Sequence, residues 1–547
     1  MLAMSLVGLG LLSGLDARPA RADFTFGEPV NIQSDFPFLD PATEWIDCFS
    51  ADGLEAYFES QRSGGYGLMD LWVLKRASVE DAWGPPENLG PLVNGARWDK
   101  QAFISADGLE LYFYSDRPGG YGGCDLYVTR RATRTSPWEL PTNLGPKVNG
   151  SFDEFFPAVS LDGLELYFNS LRPDGYGDWD LYVSKRATTN DPWGDPNNVG
   201  PAVNSPGQDA WAKLSPDGLL MFFTSNRPGG SSDFDGHVAR RATRSTPWQP
   251  AVALGPIVNT TMFNEPIVTA DGSALYILRD AGDGQTTLTW KAPILPIVDF
   301  NGDGKVDGKE ALATAQHWGQ NYPPCDIAPY AWGDGVVDVK DLTVLAGYIG
   351  QEVNDPSLIA HWALDETEGT TAHDSAGAND AMVLGGATWQ PTEGKIGGAL
   401  AFDGKDDFVR SGSVVLDPAK GPLSVIAWVK GGAPNKVIVS QASGADWLYL
   451  NQYGMLTTDL KSGGKDGKSL TSDAFVTDDQ WHRVVLTWDG TNRTLQMDGV
   501  EVARDTQPNL AASSGSLHIG GGKNLGTTAF WSGLIDDVRI YNRAVQP

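Results

Sequence analysis

Residues 299–310 read DFNGDGKVDGKE, and the order of residue types suits one kind of chemistry. Counting Asp299 as position 1, Asn301 stands at 3, Asp303 at 5, Asp307 at 9 and Glu310 at 12, and Lys305 offers its carbonyl at 7. Oxygens at those offsets wrap a hard cation. Gly304 at position 6 permits the sharp turn, and a terminal Glu can give both of its oxygens. The expected ion is Ca2+, since a merely acidic turn would not require that order. A poorer copy follows, in which Asp334, Gly335, Asp338 and Asp341 keep their offsets and Val336 supplies the carbonyl. Tyr330 and Trp332 occupy its positions 1 and 3. Either Asp326, reaching in through a longer loop, or a backbone oxygen is left to complete that site. Chelation is expected to loosen residues 297–351, because ordering of such loops couples to the ion.

These two stretches, DFNGDGKVDGKE and GDGVVDVKDLTVLAGYIG, resemble type I dockerin domains, which are duplicated calcium loop–helix modules. The resemblance implies a small helical EF-hand-like unit over 297–352, with residues 309–318 helical and Leu312, Ala315 and Trp318 on one face. It also implies a cohesin-like partner, although Tyr330 and Trp332 depart from the pattern. A spacer between two larger domains is an equal alternative.

Carboxylates recur earlier in the chain. Glu44, Asp99, Glu154, Asp209 and Glu265 each stand ahead of an apolar strand. If they are equivalent, they line a channel mouth that attracts ligand or cation, or each pairs with a repeated Arg and caps backbone N–H groups. Repetition favours the structural role, because catalysis needs different groups in different roles. Glycoside hydrolysis would need two carboxylates with divided duties, and no pair is so marked. His237 is the only histidine of this region and reads as a variant of the aromatic position held by Trp72, Tyr127 and Tyr182. No nucleophile elbow, phosphate-binding loop or dinucleotide fingerprint stands in a suitable context. Catalytic residues are therefore not assigned.

The elements that must position these acids repeat. Asp-Gly turns at Asp52, Asp107, Asp162, Asp217 and Asp271 are 55, 55, 55 and 54 residues apart. An Arg follows the second strand of four copies (Arg62, Arg117, Arg172 and Arg227), and an Asp precedes the third (Asp70, Asp125, Asp180 and Asp235). A basic pair ends that third strand, and a Trp follows it. About four short strands at this period predict propeller blades. The fifth copy has no outer strand of its own, so residues 24–32 are expected to supply it and seal the ring. The phrases resemble the PD40 (TolB-like) class of WD40-like β-propeller repeats over 23–296, which fixes a fold and leaves function open. Gly-Tyr-Gly turns at Tyr66, Tyr121 and Tyr176 are candidate sugar platforms, or they pack on neighbouring turns.

From about Leu358 the texture changes to many short strands with hairpin turns at Asp489-Gly490 and Asp498-Gly499. HWALDETEGTTAHDSAGAND, GKIGGALAFDGKDDFV, WHRVVLTWDG and GLIDDVRIYNRA are similar to the laminin G-like, or concanavalin A-like, superfamily over 358–547. That resemblance implies a β-sandwich jelly roll binding carbohydrate or protein, and a calcium contact at Asp374 with Asp536 or Asp537. Turn capping is the competing role for these acids. Trp447, Tyr449, Tyr453 and Trp531 are candidate ligand-facing aromatics, with core packing as the alternative for Trp447 and Tyr449.

The fold class expected overall is mainly β: a five-bladed propeller, a small helical calcium module and a C-terminal jelly roll. The formal charge of −29 argues against nucleic acid or an anionic membrane as partner. The apolar start with Ala20 and Ala22 reads as a signal peptide over 1–22, although a basic n-region is missing and a retained anchor competes. No other run is long enough to span a bilayer. Cys48, Cys124 and Cys325 are too sparse for a disulfide framework. The function expected is a secreted, non-enzymatic protein binding polysaccharide or cell-surface glycan. A cell-surface assembly protein and a glycan-cleaving enzyme are the alternatives.

Overall fold

The computed structural model describes residues 24–545, apart from 174, 228–233, 256–257, 260–264, 281–286, 323, 354, 356, 378 and 464–466. The expected signal segment, 1–22, lies outside the described residues.

The first half is a five-bladed β-propeller. The third blade shows the unit: Glu154–Val159, Glu165–Ser170, Asp180–Lys185 and the short outer strand Asn197–Asn198, all antiparallel neighbours in that order. Local chemistry sets each turn. Ser160 donates to Asp162 at 2.6 Å and accepts the Glu165 N–H, while Gly163 takes the left-handed φ of +73° that the turn needs. Asn204 holds both backbone groups of Leu181, 23 residues earlier, and so fixes how the chain crosses to the next blade.

Each sheet is apolar on both faces and is buried only between neighbours. Three of the contacts between blades are also pinned by charge. Arg131, Arg186 and Arg241 stack on Trp138, Trp193 and Trp248 and reach back to Glu55, Glu110 and Glu165 of the preceding blade.

The fifth blade borrows its edge. Phe24–Phe26 pairs antiparallel with Ile294–Pro296 at the end of Thr287–Pro296, and Val30–Asn31 pairs with Trp290–Lys291. Phe24 and Phe26 are buried there among Phe222, Ile277 and Ile294.

Two helices follow, α1 (Gly308–Gln316) and α2 (Val339–Ala346), each opened by a capping box on Asp307 or Asp338. The helix ends at Gln316, short of the expected 318, so Trp318 lies beyond it rather than on a face shared with Leu312. Both are exposed, and Val306, Val337 and Leu345 with the strand-like entry residues form the core. The chain ends in two eight-stranded sheets packed over one core that contains Trp362, Trp447 and Trp531.

The helical module touches both β domains. Tyr330 and Trp332, the residues that break the second loop's pattern, stack on one another at 5.0 Å and dock on the propeller. The Trp332 indole donates to Asp217 at 2.8 Å, its carbonyl accepts from Arg240, and its ring meets Phe24. A side chain at Gly272 would lie 2.8 Å from that indole. The first loop instead meets the sandwich. Arg483, Tyr541 and Arg543 donate to the carbonyls of Asn301, Gly302 and Asp299 at 2.7, 3.0 and 2.8 Å.

Phe24→Ala and Phe26→Ala are each expected to destabilise the propeller by about 3–5 kcal/mol. Denaturant unfolding would show this as an earlier propeller transition, and an unmoved midpoint would contradict the sealing role.

Candidate functional site

In an antiparallel blade the Asp-Gly turns lie at one end of the ring, and the second-to-third-strand loops lie at the other. The helical module docks at the Asp-Gly end, on Asp217 and Gly272. The opposite end carries Tyr66, Tyr121 and Tyr176, which are 52, 51 and 51% exposed. Their turns are held rigid from beneath. The buried carboxylates of Asp70, Asp125 and Asp180 each accept the Tyr N–H at 2.6 Å and the following Gly N–H at about 3 Å. Each also accepts from an outer-strand Asn. The turns press on the next blade so closely that a Cβ at Gly122 would lie 2.1 Å from the Phe152 carbonyl. Trp98 and Phe152 are exposed beside them. Fixed, half-exposed rings therefore recur on the first three blades at this end.

Inside that rim, four of the five expected acids are engaged. Glu44, Asp99, Glu154 and Asp209 receive Arg62, Arg117, Arg172 and Arg227 of their own blades. Each also accepts a backbone N–H four residues away, from Asp40, Gly95, Gly150 and Ser205. At Glu44 burial works against the charge, but Arg62 and the Asp40 N–H outweigh it and hold the carboxyl below its usual range. At the more deeply buried Glu154, burial wins and the carboxyl moves up despite Arg172. These acids are clasps, and the rim's chemistry lies elsewhere.

Glu265 is not their equivalent, which corrects the sequence reading. The clasp acids stand eight residues before their Asp-Gly turns, where the fifth blade has Phe263; Glu265 stands six before, in the place of Gln101, Phe156 and Trp211. Those residues sit at a bulge with left-handed φ of 53–55°. Glu265 is 1% exposed, and neither carboxylate oxygen has a hydrogen-bond partner. Burial, opposed by Lys213, pushes it up to about 8. Asp47 and Glu59 of the first blade join it. Asp47 accepts the Ala102 N–H at 3.0 Å and Glu59 accepts the Gln101 N–H at 2.8 Å. Burial, then the charges of Glu59 and Glu265, raise Asp47 strongly. Sequence reasoning missed this chamber because its members come from different blades at non-equivalent positions.

His237 is a core residue at the aromatic position. Burial, and Arg227 nearby, bring it down to about 4. The cleft of about 760 Å³ between the first two blades is lined by pairs already satisfied, Arg131 with Glu55 and Lys75 with Glu87.

In the helical module the acids are held on two similarly bonded loops. Asp299 accepts the N–H groups of Gly302, Asp303 and Gly304 at 2.8, 3.1 and 2.8 Å, and Glu310 accepts Asp307 N–H. Asn301 donates to Glu310 at 2.7 Å, and its own buried oxygen is left without a partner. Lys309 covers Asp303. Asp326 occupies in the second loop the role that Asp299 has in the first, accepting the Asp334 and Gly335 N–H groups at 2.9 and 2.6 Å. Asp341 accepts Ile327, Ala328 and Asp338 N–H groups. Burial raises Asp299 and Glu310, and raises Asp326 to about 6. The orphaned Asn301 oxygen between buried acids, with the Lys305 and Val336 carbonyls on the loops, fits a hard cation.

In the sandwich, Trp447 and Trp531 are fully enclosed and present no stacking face, so Trp447 takes its core-packing alternative and Trp531 is not the ligand-facing aromatic expected. Tyr449 is half-buried with its hydroxyl 3.4 Å from Asp459, whereas Tyr453 is 66% exposed on a hairpin. Asp374 accepts the N–H groups of His361, Ala376 and Asn379, the turn-capping arrangement. Asp536 accepts Lys395 and Ile396 N–H groups and is pushed up to about 7 by burial. Asp537 instead binds His361 and Arg539. The oxygens that come together are those of Asp403, Asp406 and Asp407, within 4.8 Å of one another, a trio that could coordinate a divalent cation. Its only sequence signal was the acidic run DGKDD.

With this geometry in place, the class of the last domain follows. Residues 403–547, about a quarter of the chain, match the Laminin_G_3 model of the concanavalin A-like lectin/glucanases superfamily. No curated protein matches the chain. Among solved structures, domain 4 of AbnA, a GH43 extracellular arabinanase from Geobacillus stearothermophilus in complex with arabinotriose, is 22% identical with a TM-score of 0.28. That likeness covers 35% of this chain and 94% of the other. Trypanosoma rangeli sialidase is 12% identical over 96% of this chain and 92% of its own, with a TM-score of 0.38. Likenesses of this size carry no weight for function.

Glu265 sets a pH dependence. Its folded form holds a proton that the unfolded chain releases above the ordinary Glu range, so stability is full below about pH 4.3 and is lost as pH rises toward 8. With divalent ions chelated, Glu265→Gln is expected to remove up to about 1.4 kcal/mol of loss per pH unit. Denaturant midpoints of parent and variant at pH 5, 6.5 and 8 check this; parallel curves would contradict it.

Proposed function

We propose that the protein is exported and binds neutral polysaccharide or glycan without cleaving it. On this reading a PD40-like propeller and a jelly-roll domain are held in fixed relation by a dockerin-like calcium module. The observation that carries it is the rim of Tyr66, Tyr121 and Tyr176, rigid and half-exposed at equivalent places on three blades. A sugar's C–H face stacks on such a ring, and little side-chain entropy is lost because the turn is already ordered. Single contacts of this kind are weak. Several along one polymer raise the overall affinity by about 10²–10⁴ when the geometry allows simultaneous engagement. The net charge of −29 favours an uncharged polymer over an anionic one. Burial of Asp47 and Glu265 argues against cleavage, because a glycosidic bond cannot reach them.

In the central module Asp299, Asn301, Asp303, Asp307 and Glu310, with the Lys305 carbonyl, would hold Ca2+. Asp326, Asp334, Asp338 and Asp341, with the Val336 carbonyl, would hold a second ion. The ion's contribution there is mechanical, cross-linking a loop whose carbonyls are the sandwich's docking points. A second reading, capture of a cohesin-like or other cell-surface protein, is favoured by the exposed Leu312 and Val339 on the helices and Trp318 just beyond α1.

Tyr66→Ala, Tyr121→Ala and Tyr176→Ala together are expected to lower retention on an insoluble neutral polysaccharide at least tenfold while leaving thermal unfolding unchanged. Equal retention by parent and triple variant across a polysaccharide panel would sink the rim as the binding surface. Chelation with EDTA is expected to increase the radius of gyration in small-angle scattering, reversibly on adding Ca2+; an unchanged value would refute the calcium-held joint.

A further inference from the structure

The fifth blade lacks two side chains that recur in other blades, one inside the blade and one toward its neighbour. Ten residues after the Asp-Gly turn, where four blades carry the clasp Arg, the fifth has Ala281. Three residues after the turn, where Glu55, Glu110 and Glu165 receive the next blade's Arg, it has Ala274. What the junction between the fifth and first blades has instead is the chamber. Among the described residues, Asp47 Oδ1, Gln101 Oε1 and both oxygens of Glu265 are buried there without a hydrogen-bond partner. All four are acceptors. They come from the first, second and fifth blades, and Glu59 adds a third carboxylate against the Gln101 backbone. The nearby cation is Lys213 of the fourth blade, which lies over the Phe103 ring at 5.3 Å. Three carboxyl groups face one ammonium, and a cation entering there would displace protons from them.

Buried acceptors in that number are costly unless something donates to or coordinates them. The occupant must be small, since Asp47 is 0% and Glu265 1% exposed. It must also be cationic and must suit oxygen ligands, because the unpartnered atoms of the set are all oxygens. We propose that a hard divalent cation, Ca2+ or Mg2+, binds Asp47, Gln101 and Glu265 at the centre of the propeller and ties its last blade to its first two. The ion does at this junction what a guanidinium does within the other blades. The inference is independent of glycan binding and of the two helical-module loops.

Equilibrium dialysis of the full chain against Ca2+ and against Mg2+, with elemental analysis, tests it. Asp47→Asn/Glu265→Gln is expected to lose one ion per chain. Asp299→Asn/Asp303→Asn should lose a different one, so that the losses add when the variants are combined. Glu265→Gln alone, isosteric and uncharged, guards against misfolding of the double variant. It should keep the parent's circular dichroism, weaken one site at least tenfold and lose part of the ion-dependent rise in the propeller's thermal midpoint. Parental stoichiometry and affinities in a folded Glu265→Gln chain would overturn the proposal and leave the chamber to protons and water.

Discussion

A sheet that is apolar on both faces has no place to stop until it meets another sheet, and in this molecule the last sheet meets the first. That closure depends on backbone pairing of Phe24–Phe26 and Val30–Asn31 with the far end of the propeller. The alternative is an unpaired strand edge and two uncovered apolar faces. The Arg–Glu bridges between blades and the tyrosine rim presuppose a closed ring, since each reaches a neighbouring blade whose position closure fixes.

Against such a background the informative residues are those that break the repeat. Arg62, Arg117, Arg172 and Arg227 with their acids do the same thing four times, which is what scaffolding requires. Glu265 is two residues out of step with the clasp acids and stands at the sequence position that Gln101, Phe156 and Trp211 hold in other blades. Tyr330 and Trp332 break the ligand pattern of the second loop, and the structure gives them another task, seating the module on the propeller. Asp326 then supplies the carboxylate that they displaced.

Much of this was legible in the sequence, because its signals are local and repeated. Asp-Gly turns 55 residues apart fix the strands between them, and an outer strand missing from one end and found at the other predicts closure. The sandwich was legible as strands and less so as faces. Alternation allows Trp447 either side, and only the packing of the opposite sheet sends it inward. Leu312 and Trp318 are both exposed, because α1 stops at Gln316 and the module's core is built largely from the loops and α2. The central chamber was illegible for a different reason. Its groups lie on strands whose separation in the chain exceeds 200 residues, and no periodicity brings Asp47 and Glu265 together on paper.

The pairing of Phe24–Phe26 with Ile294–Pro296 has a consequence for biogenesis. The ribosome delivers the first of these segments long before the second, so the ring cannot seal until nearly three hundred residues have been made. Until then the nascent wheel presents a raw sheet edge to whatever accompanies it, at the highest contact order the propeller contains. Trp332 rests against Phe24 itself. The helical segment emerging next therefore arrives as a wedge behind the newly closed seam, and the order of synthesis matches the order in which the parts come to support one another.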